Sequence, residues 1–234
     1  MQRATCTVLC AYVDRTTSAH WGKLASDILT GNWEVALEEL NTLREAIDSR
    51  AASTSTTSLL SSPSSNMVSD PALAQLHSRT WLVHWSLFVY FNHPHGRTLL
   101  LDTFMSPAYL NTIQTSCPWI LRYLSAAAVL SRKTSSSQSA PGAPPVSSRV
   151  RNALREIVKV VQTEEYQYQD LVTTFLKELY VEFDFEAAQK ALKAAIDVVG
   201  NDFFLGEFKD DFLDNARYLI SEAYCRIHQK IDLR

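Results

Sequence analysis

The residue types able to do chemistry are scattered along this chain of 234 residues. His93 and His95 alternate in "NHPH" and could share a metal, but no third ligand stands at helical spacing from them. A loop between helices accounts for the pair. His84, between Trp81 and Trp85, reads as a packed histidine. His228 closes the last helix, where a cation suits the dipole. The adjacent acids Glu38–Glu39, Glu164–Glu165 and Asp210–Asp211 would point about 100° apart on a helix, so none forms a converging acid/base pair. The six glycines are too far apart to cradle a phosphate, and no G-x-S-x-G nucleophile turn occurs. Cys6, Cys10, Cys117 and Cys225 lack the two-residue gap of a zinc or redox motif and read as free thiols of a reducing compartment. Spacing alone leaves open a Ser-His-Asp triad assembled from distant positions. The expectation is no catalytic residue, no cofactor, no metal ligand and no small-molecule substrate: the chain is not expected to be an enzyme.

The charge balance is near neutral, with 22 basic against 25 acidic residues and a formal net charge of −3. Bulk electrostatics therefore do not mark a nucleic-acid binder. One local cluster stands out: Arg149, Arg151, Arg155 and Lys159. It is a weak candidate RNA- or ribosome-facing surface, and its simpler reading is a solvated helix face. The most apolar run, "WLVHWSLFVYF" from Trp81 to Phe91, reaches only about 16 Å as a helix, against about 30 Å of bilayer hydrocarbon. It is a core helix or a docking surface, and no basic residues interleave its rings as an RNA-stacking platform requires. The opening "MQRATCTVLCAYVDR" has too brief an apolar stretch, and no following cleavage site, for a secretory leader. No membrane partner is expected.

Helical periodicity dominates. In "GNWEVALEEL", Asn32 is placed to cap a helix, Glu34 sits in its first turn, and Trp33, Ala36, Leu37, Leu40, Leu43 and Ile47 follow on one face. The pattern recurs 152 residues later in "FDFEAAQKAL": Asp184 caps, Glu186 sits in the first turn, and Phe185, Ala188, Leu192, Ile196 and Val199 form the face. Upstream, Leu24 and Leu29 correspond to Leu176 and Val181. Each copy reads as helix, tight turn, helix. Trp33 or Phe185 fills the elbow, and Ala36 or Ala188 admits the partner helix closely. That is a tetratricopeptide-like hairpin, which covers its apolar face only by stacking. Further helices are expected over 72–91, 98–105, 107–115, 118–130, 150–162 and 171–183, with Pro107 and Pro118 in first turns. A last helix carries the stripe Phe208, Phe212, Ala216, Leu219, Ala223 and Ile227. The fold expected is all-α, a right-handed stack of helical hairpins. Two segments, 50–71 and 131–149, are rich in Ser, Thr and Pro and read as mobile insertions.

Five strings then carry a family resemblance: "WGKLASDIL" (Trp21–Leu29), "HWSLFVYFNHP" (His84–Pro94), "YLNTIQTSCPWILRYL" (Tyr109–Leu124), "NDFFL" (Asn201–Leu205) and "CRIHQ" (Cys225–Gln229). Together, and in this order, they resemble the family of the E subunit of eukaryotic translation initiation factor 3, within the PCI group, over its central portion. The resemblance implies a non-catalytic cytoplasmic scaffold with a helical-repeat arm ending in a winged helix. It implies other subunits of that factor and the small ribosomal subunit as partners, mRNA being met through them. A PCI subunit of the proteasome lid or signalosome, and a direct RNA-binding helical repeat protein, are the alternatives. The organisation expected is a poorly matched segment (1–20), a first hairpin (21–49), a Ser/Thr-rich insertion (50–71), helical repeats (72–130), a Ser/Pro-rich insertion (131–149), repeats leading to a PCI module (150–229), and the start of a winged-helix region (230–234), the rest of which is expected to be missing.

If this division of core and insertion is right, Trp33→Ala or Phe185→Ala costs about 3–5 kcal/mol, as for a buried aromatic. Deleting Ser53 to Ser65 then changes thermal stability little. Melting curves of the three variants check the ranking.

Overall fold

In a computed structural model of the protein, residues 13–57, 71–134 and 146–228 are described. Of the expected segments 1–20, 50–71, 131–149 and 230–234, residues 1–12, 58–70, 135–145 and 230–234 lie outside the described residues. The described ends of the two expected insertions are helical rather than irregular, 50–57, 131–134 and 146–149 continuing the flanking helices. The fold is all-α: among the described residues there are ten α-helices, joined by turns and short loops, and no strand. The chain divides into two compact units, Met1–Gly96 and Arg97–Arg234.

The first unit holds α1 (Val13–Leu29), α2 (Trp33–Thr57) and α3 (Pro71–Asn92), with α1 packed on α2 and α2 on α3. Leu24, Ala36, Leu40, Leu43 and Ile47 are buried, as the periodicity predicts. The turn after α1 is set by Gly31, whose φ of 71° suits a residue without Cβ. Gly31 N–H donates to Ile28 O at 3.1 Å and Asn32 N–H to Asp27 O at 3.0 Å, the paired bonds of a Schellman C-cap. Asn32 stands at the expected start of α2, where its carbonyl accepts from Ala36 N–H at 2.9 Å. Its side-chain amide donates to Thr30 Oγ1. Across the hairpin, buried Glu39 takes both His20 and Lys23. Arg79 pairs with Asp48 at 2.8 Å, tying α3 to α2. In the "WLVHWSLFVYF" run, Leu82, Val83, Leu87, Val89, Tyr90 and Phe91 are buried while Trp81 is 56% exposed. His93 is buried; its Nδ1 accepts from His95 N–H at 3.1 Å and its Nε2 lies 3.2 Å from Glu34. Gly96 stands at the end of this unit, where a Cβ would meet Tyr90 O at 2.1 Å.

The second unit runs through α4 (Gly96–Phe104), α5 (Pro107–Ser116), α6 (Ile120–Thr134), α7 (Val146–Thr163), α8 (Leu171–Lys177), α9 (Phe185–Asn201) and α10 (Lys209–Ile227). Pro107 occupies the first turn of α5, where its missing N–H is harmless. The helix α8 continues as a π turn, Glu178–Glu182, and a 3-10 turn, Gly206–Phe208, precedes α10. Three helices, α7, α8 and α10, pack on α6. Accordingly Ile120, Leu121, Leu124, Ser125, Ala126, Ala127, Ala128, Val129, Leu130 and Ser131 are all buried. A helix enclosed on every side must be built largely of small residues, and "SAAAV" supplies them.

The second hairpin repeats the first in outline. Asp184 caps α9, its Oδ1 accepting from Glu186 N–H at 3.0 Å and Ala187 N–H at 2.9 Å. Ala188 and Leu192 are buried like Ala36 and Leu40. Trp33 and Phe185, however, are half-buried. Phe185 meets the Tyr224 ring edge-on at 5.3 Å, reaching across to α10.

This burial pattern reorders the expected stabilities. Leu124→Ala, at a fully enclosed site, should cost about 2–5 kcal/mol. Ala127→Leu should cost about 1–3 kcal/mol or more through overpacking. Trp33→Ala should fall below Leu124→Ala, at about 1–3 kcal/mol, because part of its ring stays in water. Urea unfolding of the three variants reads the ranking directly.

Candidate functional site

Two polar constellations in the second unit have the density of a site. The first surrounds Arg122, in the first turn of α6. Asp170 caps α8: its Oδ2 accepts from Val172 N–H at 3.2 Å, and Asp170 N–H donates to Thr173 Oγ1 at 3.1 Å in a capping box. Its Oδ1 is then free for Arg122 Nη2, at 2.8 Å. Asp202 works the same way beyond α9. Its Oδ1 accepts from the backbone N–H groups of Phe204 and Leu205 at 3.0 and 3.3 Å. Its Oδ2 accepts from the Tyr123 hydroxyl at 3.1 Å and Arg122 Nη1 at 3.3 Å. Both carboxylates are largely buried, at 7% and 5% side-chain exposure. Burial works against the Arg122 charge, but the Asp170 hydrogen bond and charge outweigh it and raise the guanidinium pKa. Burial, reinforced by the Asp202 carboxylate, pushes the Tyr123 phenol up to about 12. Burial alone pushes the Cys117 thiol up to about 12. Both aspartates divide their oxygens between backbone N–H groups and side-chain donors at helix ends, so the constellation is structural, although Arg122 Nε is buried without an acceptor.

The second constellation is a groove of about 710 Å³ lined by α7, the π turn and α10. The helix α7 buries Val150, Leu154, Ile157 and Val161 and turns its polar face outward. Of the candidate basic residues, Arg151, Arg155 and Lys159 line this groove together, joined by Arg226 from α10. Arg149 lies on α7, with its side chain outside the described residues. Two carboxylates share the walls. Glu156 pairs with Lys159 at 2.8 Å, one turn away on α7. Glu222 takes both Arg226 and Arg132. Arg132 also lies over the Tyr218 ring, 5.5 Å from its centroid. Burial raises the Tyr180 pKa, while the nearby guanidiniums of Arg132, Arg226, Arg151 and Arg155 oppose that shift. Burial and the like charges of Arg151 and Arg226 lower the Arg132 pKa, with the Tyr180 and Tyr218 phenols working the other way. Phe183, at the groove edge, has φ 55° and ψ 27° and is 52% exposed.

Sequence reading reaches part of this. It picks out three of the four groove cations but places them on one helix face, because Arg226 and Glu222 come from 63 or more residues away. It misses the Arg122–Asp170–Asp202 cluster, although "YLNTIQTSCPWILRYL" and "NDFFL" contain Arg122, Tyr123 and Asp202. The D-x-x-T spacing of Asp170 and Thr173 is the available signal, being that of a capping box. Among the described residues, no group of three or more His, Cys, Asp or Glu side chains could hold a metal ion. No described helix is long and apolar enough to cross a membrane.

The raised phenol and thiol set a pH dependence. The folded chain holds these protons above the ordinary values of 10.0 for Tyr123 and 9.0 for Cys117. Between the ordinary and folded values the unfolded chain binds fewer protons than the folded one, so stability falls as pH rises. The contribution is complete below pH 9 and is lost as pH climbs toward about 12. Tyr123→Phe should lower stability at neutral pH by about 1 kcal/mol through the lost hydrogen bond. It should also make the alkaline decline shallower. Denaturant titrations across that pH range check both effects.

No family model matches the chain. Proteins named as the E subunit of eukaryotic translation initiation factor 3 do match. The one from Botryotinia fuckeliana is 46% identical over 221 residues, covering 94% of this chain and 43% of the relative. That from Emericella nidulans is 48% identical over 94% of this chain and 44% of the relative. That from Cryptococcus neoformans var. neoformans is 50% identical over 218 residues, 92% of this chain and 42% of the relative. The chain thus spans less than half the length of the curated relatives it matches. At such identity over nearly all of its residues, this chain is a relative of the E subunit of eukaryotic translation initiation factor 3, corresponding to a portion of that protein.

Proposed function

We propose that the chain acts as a non-catalytic scaffold segment of eukaryotic translation initiation factor 3, in the cytoplasm. In this reading it supports assembly of the pre-initiation complex on the small ribosomal subunit, and mRNA recruitment through it. The observation that carries the reading is the 46–50% identity to proteins of that name over 92–94% of this chain. The physical layout supports it. The polar cluster around Arg122 ties the cap of α8 to the turn after α9 and so holds shape. Large apolar side chains remain on the surface, with Leu29, Phe203 and Tyr166 at 87%, 81% and 79% exposure, as suits a chain that meets other proteins. The proteasome-lid and signalosome alternatives draw no support from the relatives named above.

Affinity-tagged chain expressed in cells and purified under native conditions tests this. Initiation-factor subunits should co-purify and the tag should sediment with small ribosomal subunits. Recovery of lid or signalosome subunits in their place overturns the reading.

A further inference from the structure

We propose that the groove lined by α7, the π turn and α10 is a docking site for an acidic, amphipathic segment of a partner protein. The inference rests on the groove itself and does not depend on which complex the chain joins. Four cations, Arg151, Arg155, Lys159 and Arg226, line it against two carboxylates, Glu156 and Glu222. Both carboxylates are already committed, to Lys159 and to Arg226 with Arg132. Arg151 and Arg155 have no ion-pair partner among the described residues, and Arg151 Nε is buried without a hydrogen-bond acceptor. An incoming carboxylate would pair with the guanidiniums of Arg151 and Arg155, which stand near Tyr180 with those of Arg132 and Arg226.

The groove is also apolar. Leu154, Val158, Val181, Ala223 and Ile227 contribute to its lining, and Ile227 is 48% exposed. Its volume, about 710 Å³, lies within the range of about 300–1,000 Å³ typical of ligand clefts. Apolar anchors in the groove with carboxylates at the arginines describe one face of an acidic helix or extended segment. Phe183 adds an independent sign. A bulky side chain in the left-handed region is an outlier, and glycine fills the matching turn at Gly31. The backbone thus carries strain that glycine would relieve, and what phenylalanine adds is a half-exposed ring at the edge of the groove. Single-stranded RNA suits the groove less well. Glu156 and Glu222 would stand beside its phosphates, and Phe183 is the half-exposed ring among the lining residues rather than one of a series.

Fluorescence anisotropy on the full 234-residue chain tests the proposal. The probes are a labelled peptide of about five helical turns with Leu on one face and Glu elsewhere, the same peptide with Lys for Glu, and labelled oligouridine of similar length. The acidic peptide should bind saturably, with an affinity that falls as salt is raised, and the lysine peptide should not bind. Arg155→Glu, at an exposed position, should weaken binding about tenfold with an unchanged melting curve. Phe183→Gly should weaken binding several-fold while leaving the melting temperature unchanged or higher, a combination that a purely structural role for the ring does not give. Arg155→Lys should retain most of the affinity. The proposal is overturned if the acidic peptide fails to saturate below about 1 mM, a level at which specific docking is lost. Equal binding of the lysine peptide, tighter binding of oligouridine, or indifference to Arg155→Glu would each overturn it as well.

Discussion

The second unit depends on a helix that has nowhere to hide a large side chain. Because α6 is packed by α7, α8 and α10, its middle is written in Ala126, Ala127 and Ala128, each with no exposed surface. Small residues let three helices approach it closely, and close approach multiplies the dispersion contacts of the larger side chains that flank them, Leu121, Leu124 and Leu130. The arrangement has little tolerance, since the packing density of an interior leaves no slack for even one added methylene. It also fixes where the helices around it begin and end. Arg122 stands in the first turn of α6 and joins the cap of α8 to the turn after α9. Each aspartate divides its two oxygens between backbone and guanidinium, so the same carboxylate that starts a helix also locates it against α6. The shared bonds offset much of the penalty of burying this charge, while Arg122 Nε stays buried without an acceptor.

The doubled hairpin shows the same economy at the level of backbone. The two positive-φ residues among those described, Gly31 and Phe183, stand at the same offset as the two caps, Asn32 and Asp184. Both turns need a left-handed residue to reverse the chain in so few steps. The first closes with Asn32 N–H on Asp27 O; the second closes with Asp184 N–H on Glu178 O, one residue further back. The π turn accounts for the extra residue, since each of its bonds spans one residue more than an α-helical bond. That wider loop carries Tyr180, Val181 and Phe183 into the lining of the groove. The second hairpin therefore differs from the first at the place where it lines the groove.

Most of the fold was legible from periodicity. Helix ends predicted from Pro107, Asp184 and the stripe of α10 agree with the structure within a few residues. Ala36, Leu40, Ala188 and Leu192 are buried as their spacing implied. The burial of the aromatic pair is less than the repeat implies, because position in a repeat fixes the direction of a side chain but not how much of it neighbours cover. The site was legible only along one helix. Arg151, Arg155 and Lys159 announce a face at intervals of four, whereas Arg226, Glu222 and Phe183 reach the groove by tertiary packing. The left-handed Phe183 was illegible for a plain reason: turn signals rest on glycine and asparagine, and a phenylalanine there contradicts them.

Charge segregation ties these observations together. The chain as a whole is slightly acidic, at −3, yet the groove is cationic, so its positive character is local and not a by-product of composition. Gathering Arg132, Arg151, Arg155 and Arg226 near one phenol brings like charges together, and burial first, then the charges of Arg151 and Arg226, lowers the Arg132 pKa. Glu222 offsets part of this by bridging two of the four. The remainder persists in the folded chain beside a second cost, the left-handed phenylalanine. Two unfavourable features in one groove are difficult to attribute to stability, since glycine and a neutral side chain would each relieve one of them. Both acquire a reason once a negatively charged partner occupies the groove, because the partner's carboxylates lower the energy of the arginines and its apolar side chains cover the ring.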